Sequence, residues 1–258
     1  IGVAGSCLVA CMGAKGGVGT SSVLEALSLA GAEILGQKTI IVDPSGGWST
    51  HPVGIGYEPA STLAEAIRAV SNNDEEGLKR IIHKVSDKLM VLSTGGEVML
   101  DQPINKENME ALLDYLMVRY PVVYVDLSGC DTEIKKIVCA RANKIVLCSS
   151  AVLPSLRLAR TLLQEIKDVR GGAGEDVHVV INMQGLSSNN EMKKPDIEKA
   201  LEISPALYLP FDPKTFVSVE CADQNFASDK DGMALLKNHM VSFLTSVLQV
   251  GGGVQGAE

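Results

Sequence analysis

Ala14-Lys15-Gly16-Gly17-Val18-Gly19-Thr20-Ser21 carries the densest chemistry in this chain. It nearly follows the pattern G-x-x-x-x-G-K-[ST]. There, backbone N–H groups wrap a phosphate, the lysine reaches the terminal phosphates and the hydroxyl meets magnesium. Gly19 and Ser21 stand at the second glycine and the hydroxyl, whereas Thr20 replaces the lysine and Ala14 the first glycine. A lysine occurs earlier, at Lys15. A strand, a glycine turn and a helix N-terminus bring backbone donors and the positive end of the helix dipole to one point. Gly16, Gly17 and Gly19 allow close approach and positive φ, and Ser21 or Ser22 offers the hydroxyl for Mg²⁺. The bland alternative is a turn that only reverses the chain. Losing the loop lysine removes a charge that stabilises a transferring phosphoryl group, so the loop reads as nucleotide-holding with hydrolysis left open.

Two aspartates fall at matching places. Asp126 ends the run Val122-Val123-Tyr124-Val125, and Asp43 ends Thr39-Ile40-Ile41-Val42. Ligands of open α/β sheets bind beyond the carboxyl ends of the strands. Asp126 is therefore the expected acid of a magnesium shell, and Asp43 the expected acid that meets the metal or orients water. Capping is the alternative for either residue alone.

The elements that must position these residues alternate between strand-like and helix-like runs, the signature of βαβ units and a mostly parallel sheet. Strands are expected at Cys7–Gly13, Lys38–Asp43, Lys88–Leu92, Pro121–Leu127, Lys144–Ser149, Asp176–Ile181 and Ala206–Leu209. Helices are expected at Thr20–Leu35, Leu63–Val70 behind a Thr62 cap, Asp74–Val85, Asn105–Val118, Thr132–Arg141, Pro154–Val169, Pro195–Leu201 and Gly232–Val250. Ser187–Lys194 reads as the least ordered piece. Residues 1–250 read as one α/β domain of P-loop type, with helices on both faces of the sheet and a Gly-rich tail at 251–258.

Aromatics make up 4% of the chain against 46% apolar residues, so the core must be aliphatic. A formal charge of −8 argues against a DNA-coating surface. The six cysteines show no paired spacing, which suits a reduced cytoplasm. Cys130 follows Asp126, but without a Cys-x-x-Cys no iron–sulfur cluster is expected. The four histidines are scattered without metal spacing. No apolar run reaches the roughly 20 residues that span a bilayer, and no signal peptide is recognisable. The first residue is Ile1 rather than Met, as expected of a processed or excised piece.

Lys15-Gly16-Gly17-Val18-Gly19 resembles the deviant P-loop ATPases of the MinD and ParA type, whose signature lysine opens Lys-Gly-Gly and reaches across a nucleotide-dependent dimer. Ile41-Val42-Asp43-Pro44 is similar to their first switch, and Tyr124-Val125-Asp126-Leu127 to their metal-site strand. Val180-Ile181-Asn182 and Leu209-Pro210-Phe211-Asp212 are similar to the segments bordering the base. The resemblance covers nearly the whole chain. Threonine at the usual lysine position points to the CpaE/TadZ branch, which helps localise and assemble Flp-type (tight adherence) pili.

The resemblance implies ATP/ADP and Mg²⁺ as cofactors. Lys15 becomes the signature lysine in binding and catalysis, and Asp43 the catalytic first-switch acid. Lys15, Gly16, Gly17, Val18, Gly19, Thr20, Ser21 and Ser22 hold phosphates, and Asn182, Pro210 and Asp212 border the base. Ser21, Asp43 and Asp126 hold the metal. Many relatives write the first switch D-x-D, but only Asp43 is present here, and Ala14 departs from the usual glycine. It further implies a homodimer with weak hydrolysis, pilus or secretion assembly partners, and a cytoplasmic place at a pole or the inner membrane face. A non-hydrolysing scaffold and a ParA-like DNA-partitioning ATPase are the alternatives. General nucleic-acid binding is not expected. Contact with a membrane is expected to be indirect, because Met233–Val250 reads as core packing rather than as a basic amphipathic helix.

Overall fold

Strands and helices alternate as the apolar runs predict. The structure, a computed structural model, describes residues 5–45, 51, 55, 63–93, 104–221 and 225–250. In chain order they form β1 (Cys7–Gly13), α1 (Thr20–Leu29), β2 (Thr39–Asp43), α2 (Leu63–Ser71), α3 (Glu75–Ile81), β3 (His83–Lys84) and β4 (Leu89–Ser93). Then follow α4 (Lys106–Arg119), β5 (Val122–Asp126), α5 (Thr132–Arg141), β6 (Lys144–Ser150), α6 (Leu153–Val169), β7 (Val177–Gln184), α7 (Lys194–Leu201), β8 (Leu207–Pro210), α8 (Pro213–Cys221) and α9 (Lys230–Leu235). The strands make one sheet in the order β3-β4-β2-β5-β1-β6-β7-β8. Among the described residues only the β3–β4 pairing is antiparallel.

Alternation along the central strands divides the core. Leu8, Ala10 and Met12 of β1 join Val123 and Val125 of β5 in one apolar cluster, under α2 and α4 to α7. Val9 and Cys11 join Val122 and Tyr124 in the other, under α1 and the C-terminal helix. Both faces of the sheet are covered, which is why its strands read as continuous apolar runs. The structure thus has the expected mostly parallel sheet of a P-loop nucleoside-triphosphatase fold, with helices on both faces. Crossovers lead from β1 toward β2 on one side and from β6 toward β8 on the other. This places the sheet's switch point at the C-terminal end of β1, where the glycine loop begins.

Four segments differ from expectation. The helix expected over Asp74–Val85 stops at Ile81. Ile82 turns extended (φ −70°, ψ 120°), and His83–Lys84 pairs with β4 through a tight turn in which Ser86 Oγ accepts from the amides of Lys88 and Leu89. Helix α8 was not expected, yet Asp212 caps it by accepting from Thr215 N at 3.1 Å, with Pro213 in its first turn. In the Ser187–Lys194 stretch, turns over 185–190 are tied by Glu191, whose carboxylate accepts from Gly185 N and Ser187 N, and Lys194 already opens α7. The last helix begins at Lys230 behind Asp229, and wider i→i+5 turns carry it through Leu236–Met240 and Phe243–Leu248. Its Leu236, Met240, Phe243, Leu244 and Leu248 are buried against α1, so it packs into the core. Thr62 and the 251–258 tail lie outside the described residues.

Candidate phosphate and metal site

The loop is tied down at both ends. Ala14 N donates to Cys148 O of β6 at 2.8 Å, and Val23 N donates to Gly19 O to begin α1. Gly17 (φ +79°) and Gly19 (φ +81°) take left-handed backbone that an L side chain resists. Gly19 is also pressed from behind, since a Cβ there would lie 2.4 Å from Asn182 Nδ2. Asn182 is buried and donates to Val18 O at 3.0 Å, bracing the loop from β7. Gly19 precedes α1 without a side-chain cap, and no acid occupies the first turn, so the amides there and the helix dipole face outward for a ligand. The loop walls a cavity of about 540 Å³ together with Ser128, Gly129 and Lys135. That is within the usual range of small-molecule sites.

Thr20 and Ser21 point in different directions. Thr20 is 5% exposed, its hydroxyl lies over Gly13 and against the Cys148 thiol, and burial pushes that thiol up to about 12. The side chain in the usual lysine position is thus absorbed into the core. Ser21 Oγ instead donates to Asp126 Oδ2 at 2.6 Å. Asp126 is 1% exposed, and its Oδ1 accepts from Ser128 N at 2.8 Å.

A histidine that the sequence reading set aside completes the cluster. The imidazole of His51 is fully buried, with Nδ1 2.8 Å from Glu25 Oε1, Nε2 2.8 Å from Asp126 Oδ2 and 3.8 Å from Asp43 Oδ2. Burial alone would push the ring's pKa down, but hydrogen bonds and charge from Asp126 and Glu25 hold it well above the usual histidine range. Burial would likewise raise Asp126, but His51 and Ser21 hold its carboxyl below the ordinary value. Asp43, 3% exposed, accepts from Ser45 N through Oδ1 at 2.9 Å.

Of the residues singled out by sequence, Lys15 to Ser22 share the cavity wall, and Ser21 links that wall to Asp126 and the Asp43 side of the cluster. Asn182 reaches the back of the same loop. Pro210 and Asp212 lie at and just past the end of β8, the strand beside β7, where Phe211 N donates to Gln184 O and Asp212 is engaged as a helix cap. The reading missed three residues: His51, Glu25 and Lys135. Glu25 had a signal, the one charged residue in a helix otherwise made of apolar and hydroxyl side chains. His51 had none in spacing alone. Lys135 sits on α5 immediately downstream of the Asp126 strand and brings a second cation to the cavity.

The residues present suit a nucleotide and a divalent ion. The cradle closes where a Cβ would intrude, and Ser21 and Asp126 offer the hard oxygen donors that magnesium takes. No protein-family model matches the sequence, and no curated protein matches it. Solved structures do match the fold. A ParA family ATPase from Chlorobium tepidum aligns with TM-score 0.81 at 18% identity, over 94% of this chain and 98% of that one. The septum site-determining protein MinD of Pyrococcus horikoshii, complexed with Mg-ADP, aligns at 0.75 and 14% identity over 96% and 99%. The MinC:MinD cell division complex of Aquifex aeolicus aligns at 0.74 and 16% identity over 98% of both chains. The chain therefore has the fold of the ParA and MinD ATPases along nearly its whole length.

Proposed function

We propose that this chain is an ATP-binding, dimerising switch of the MinD/ParA type, of the CpaE/TadZ branch, that positions Flp-type pilus or secretion assembly and hydrolyses ATP slowly. The observation that carries the reading is the loop itself. Gly17 and Gly19 hold the backbone open toward a cavity whose far wall brings Lys135, while Thr20, though part of the same wall, is buried and brings no charge to it. Backbone amides of residues 15–21 bind the phosphates, and Lys15 and Lys135 supply the positive charge. Ser21 and Asp126 are the residues that hold Mg²⁺, which neutralises phosphate charge when bound. Asp43 stands beside Asp126 to orient water. Buried between them, His51 fixes one oxygen of Asp126 and so sets where that carboxylate points.

Slow turnover follows from chemistry. Loss of one preorganised contact to the transition-state charge costs about 10²–10³ in rate. Two lysines elsewhere on the cavity wall replace one at the usual position only in part. In this reading the ATP-bound dimer, rather than turnover, is what a pilus or secretion partner recognises. The Aquifex MinD is solved with MinC bound, which fits a fold that presents a partner surface. The non-hydrolysing scaffold is the second reading, favoured by the burial of Thr20. DNA partitioning, the province of the ParA relatives, has less support from a chain of charge −8.

The test is thermal unfolding and oligomeric mass with and without Mg-ATP, for the parent and for Lys15→Ala. Stabilisation and dimerisation of the parent alone support a switch acting through Lys15. Indifference of the parent to ATP overturns the nucleotide reading and leaves the scaffold.

A further inference from the structure

We propose that Asp43, His51 and Asp126 form a site for a first-row transition-metal dication, with His51 Nε2 as its nitrogen ligand and Glu25 as the residue that orients the ring. The site works without nucleotide and prefers zinc or cobalt to magnesium. Three observations carry it. One ligand atom from each of Asp43, His51 and Asp126 lies within 4.8 Å of the others, and all three side chains are buried. The two approaches to Nε2 are 2.8 Å from Asp126 Oδ2 and 3.8 Å from Asp43 Oδ2. Metal–nitrogen and metal–oxygen bonds of about 2.0–2.2 Å place neighbouring ligand atoms about 2.9–3.5 Å apart, so small side-chain movements on either side convert this arrangement into a coordination edge.

The second observation is the other face of the ring. His51 Nδ1 meets Glu25 Oε1 at 2.8 Å. In the metal-free chain the Nε2 proton lies between the ring and Asp126 Oδ2. A dication takes that proton's place, while Glu25, accepting from Nδ1–H, keeps Nε2 turned toward the acids, the support that metal-ligating histidines characteristically have. Glu25 lies on α1, whose remaining inward side chains are apolar or small, and is 4% exposed. The third is the donor set. An imidazole beside two carboxylates, with the Ser21 hydroxyl 2.6 Å from Asp126 Oδ2, is a mixed nitrogen–oxygen set. Magnesium takes oxygen ligands and keeps several waters, whereas imidazole suits zinc, cobalt and their neighbours. The inference shares Asp43, Asp126 and Ser21 with the nucleotide reading but needs no nucleotide.

The experiment uses the full chain after chelation and dialysis. Co²⁺ is titrated in without ATP and followed by its visible d–d absorption. A stoichiometric spectrum is expected that Zn²⁺ abolishes and that a hundredfold excess of Mg²⁺ leaves in place. His51→Ala should remove the spectrum, and Glu25→Gln should weaken Co²⁺ binding by about 10–100-fold. Folding of each variant is checked by circular dichroism. The parent alone provides the decisive reading if a variant fails to fold. In protein carrying ¹⁵N-histidine, Zn²⁺ should shift the Nε2 resonance of one imidazole and leave its Nδ1 protonated. Absence of any Co²⁺ spectrum, equal competition by Mg²⁺, a spectrum that survives in folded His51→Ala, or no shifted imidazole would each overturn the proposal. Protection by Mg-ATP is measured separately, so the metal proposal and the nucleotide reading can fail independently.

Discussion

The loop glycines provide a graded perturbation whose costs can be worked out position by position. At Gly16, φ is not in the left-handed range and a Cβ would meet nothing within 4 Å. Gly16→Ala should therefore leave the ligand-free protein unchanged, or stabilise it by up to about 1 kcal/mol through the unfolded chain. At Gly17 space is also open, but φ is +79°. Alanine there costs the left-handed backbone alone, about 1–2 kcal/mol. At Gly19 the same backbone cost is joined by a Cβ 2.4 Å from Asn182 Nδ2. That amide must leave Val18 O, and breaking a buried hydrogen bond costs about 1–3 kcal/mol more. At about 2–4 °C per kcal/mol for a chain of this size, the expected falls in Tm are about 2–8 °C for Gly17→Ala and about 4–20 °C for Gly19→Ala.

The assay is thermal unfolding by circular dichroism, with Asn182→Ala added to close a double-mutant cycle. In the Asn182→Ala background the obstruction is gone, so Gly19→Ala should cost only what Gly17→Ala costs. The coupling between the two sites should then be at least about 1 kcal/mol. Equal falls for Gly17→Ala and Gly19→Ala, or strict additivity with Asn182→Ala, would refute the brace. Gly16→Ala carries the functional half of the series. It should weaken Mg-ATP protection at least tenfold while leaving Tm without nucleotide intact, because only a bound phosphate would feel its methyl group.

Three further expectations follow from particular residues. Lys135→Ala should weaken ATP binding by about 10-fold or more, since a charge-assisted contact is worth about 1.5–3 kcal/mol; calorimetric titration reads it, and unchanged affinity removes Lys135 from the site. Asp131 Oδ1 accepts from Ile134 N at 2.9 Å to cap the helix that carries Lys135, so Asp131→Ala should cost about 0.5–2 kcal/mol in denaturant unfolding. Burial raises the Cys7 thiol to about 11, so at pH 8 it is about 10⁻³ thiolate, against about 0.2 for a free cysteine. Its alkylation, followed by mass spectrometry, should be at least about 100-fold slower than that of free cysteine and should accelerate about tenfold per pH unit up to pH 10.

Local signals sufficed for the sheet and for the loop. Val122 to Asp126 is a run of apolar residues ended by an acid, and its place between β1 and β2 follows from burial on both faces. The helix at Thr132–Arg141 has its Asp131 cap in plain view. What stayed hidden depended on contacts distant in sequence. His51 meets Glu25 across 26 residues and Asp126 across 75, and no spacing rule joins partners so far apart in the chain. Helix α8 was hidden for another reason. Asp212 was assigned to a base contact through the family resemblance, and that obscured an ordinary Asp-Pro start followed three residues on by Thr215. The Ile81-Ile82 pair similarly permits helix or strand, and only pairing with β4 settles it.

Thr20 raises the question of whether this loop has merely lost a lysine or has been rebuilt around its absence. The threonine is not an idle substitute. Its hydroxyl occupies the space over Gly13, where a Cβ would lie 2.5 Å from it, and it hydrogen-bonds the Cys148 thiol. Thr20→Lys cannot leave a four-carbon stem in that space, so the ammonium must turn out into the cavity that Lys135 already lines. If turnover is slow because one fixed cation is missing, this substitution should raise phosphate release by about 10²-fold. The lost packing and hydrogen bond should cost about 1–3 kcal/mol at the same time. If Lys15 and Lys135 already supply the charge, release should change less than threefold while the same stability is lost. Phosphate release under single-turnover conditions separates the two, with Tm confirming in either case that the threonine has left its place. Faster release by the variant would mean that one residue sets the rate of the proposed hydrolysis. A destabilised variant of unchanged rate would refute the missing-cation account of the proposed slow hydrolysis and move the cause to the buried Asp43–His51–Asp126 cluster.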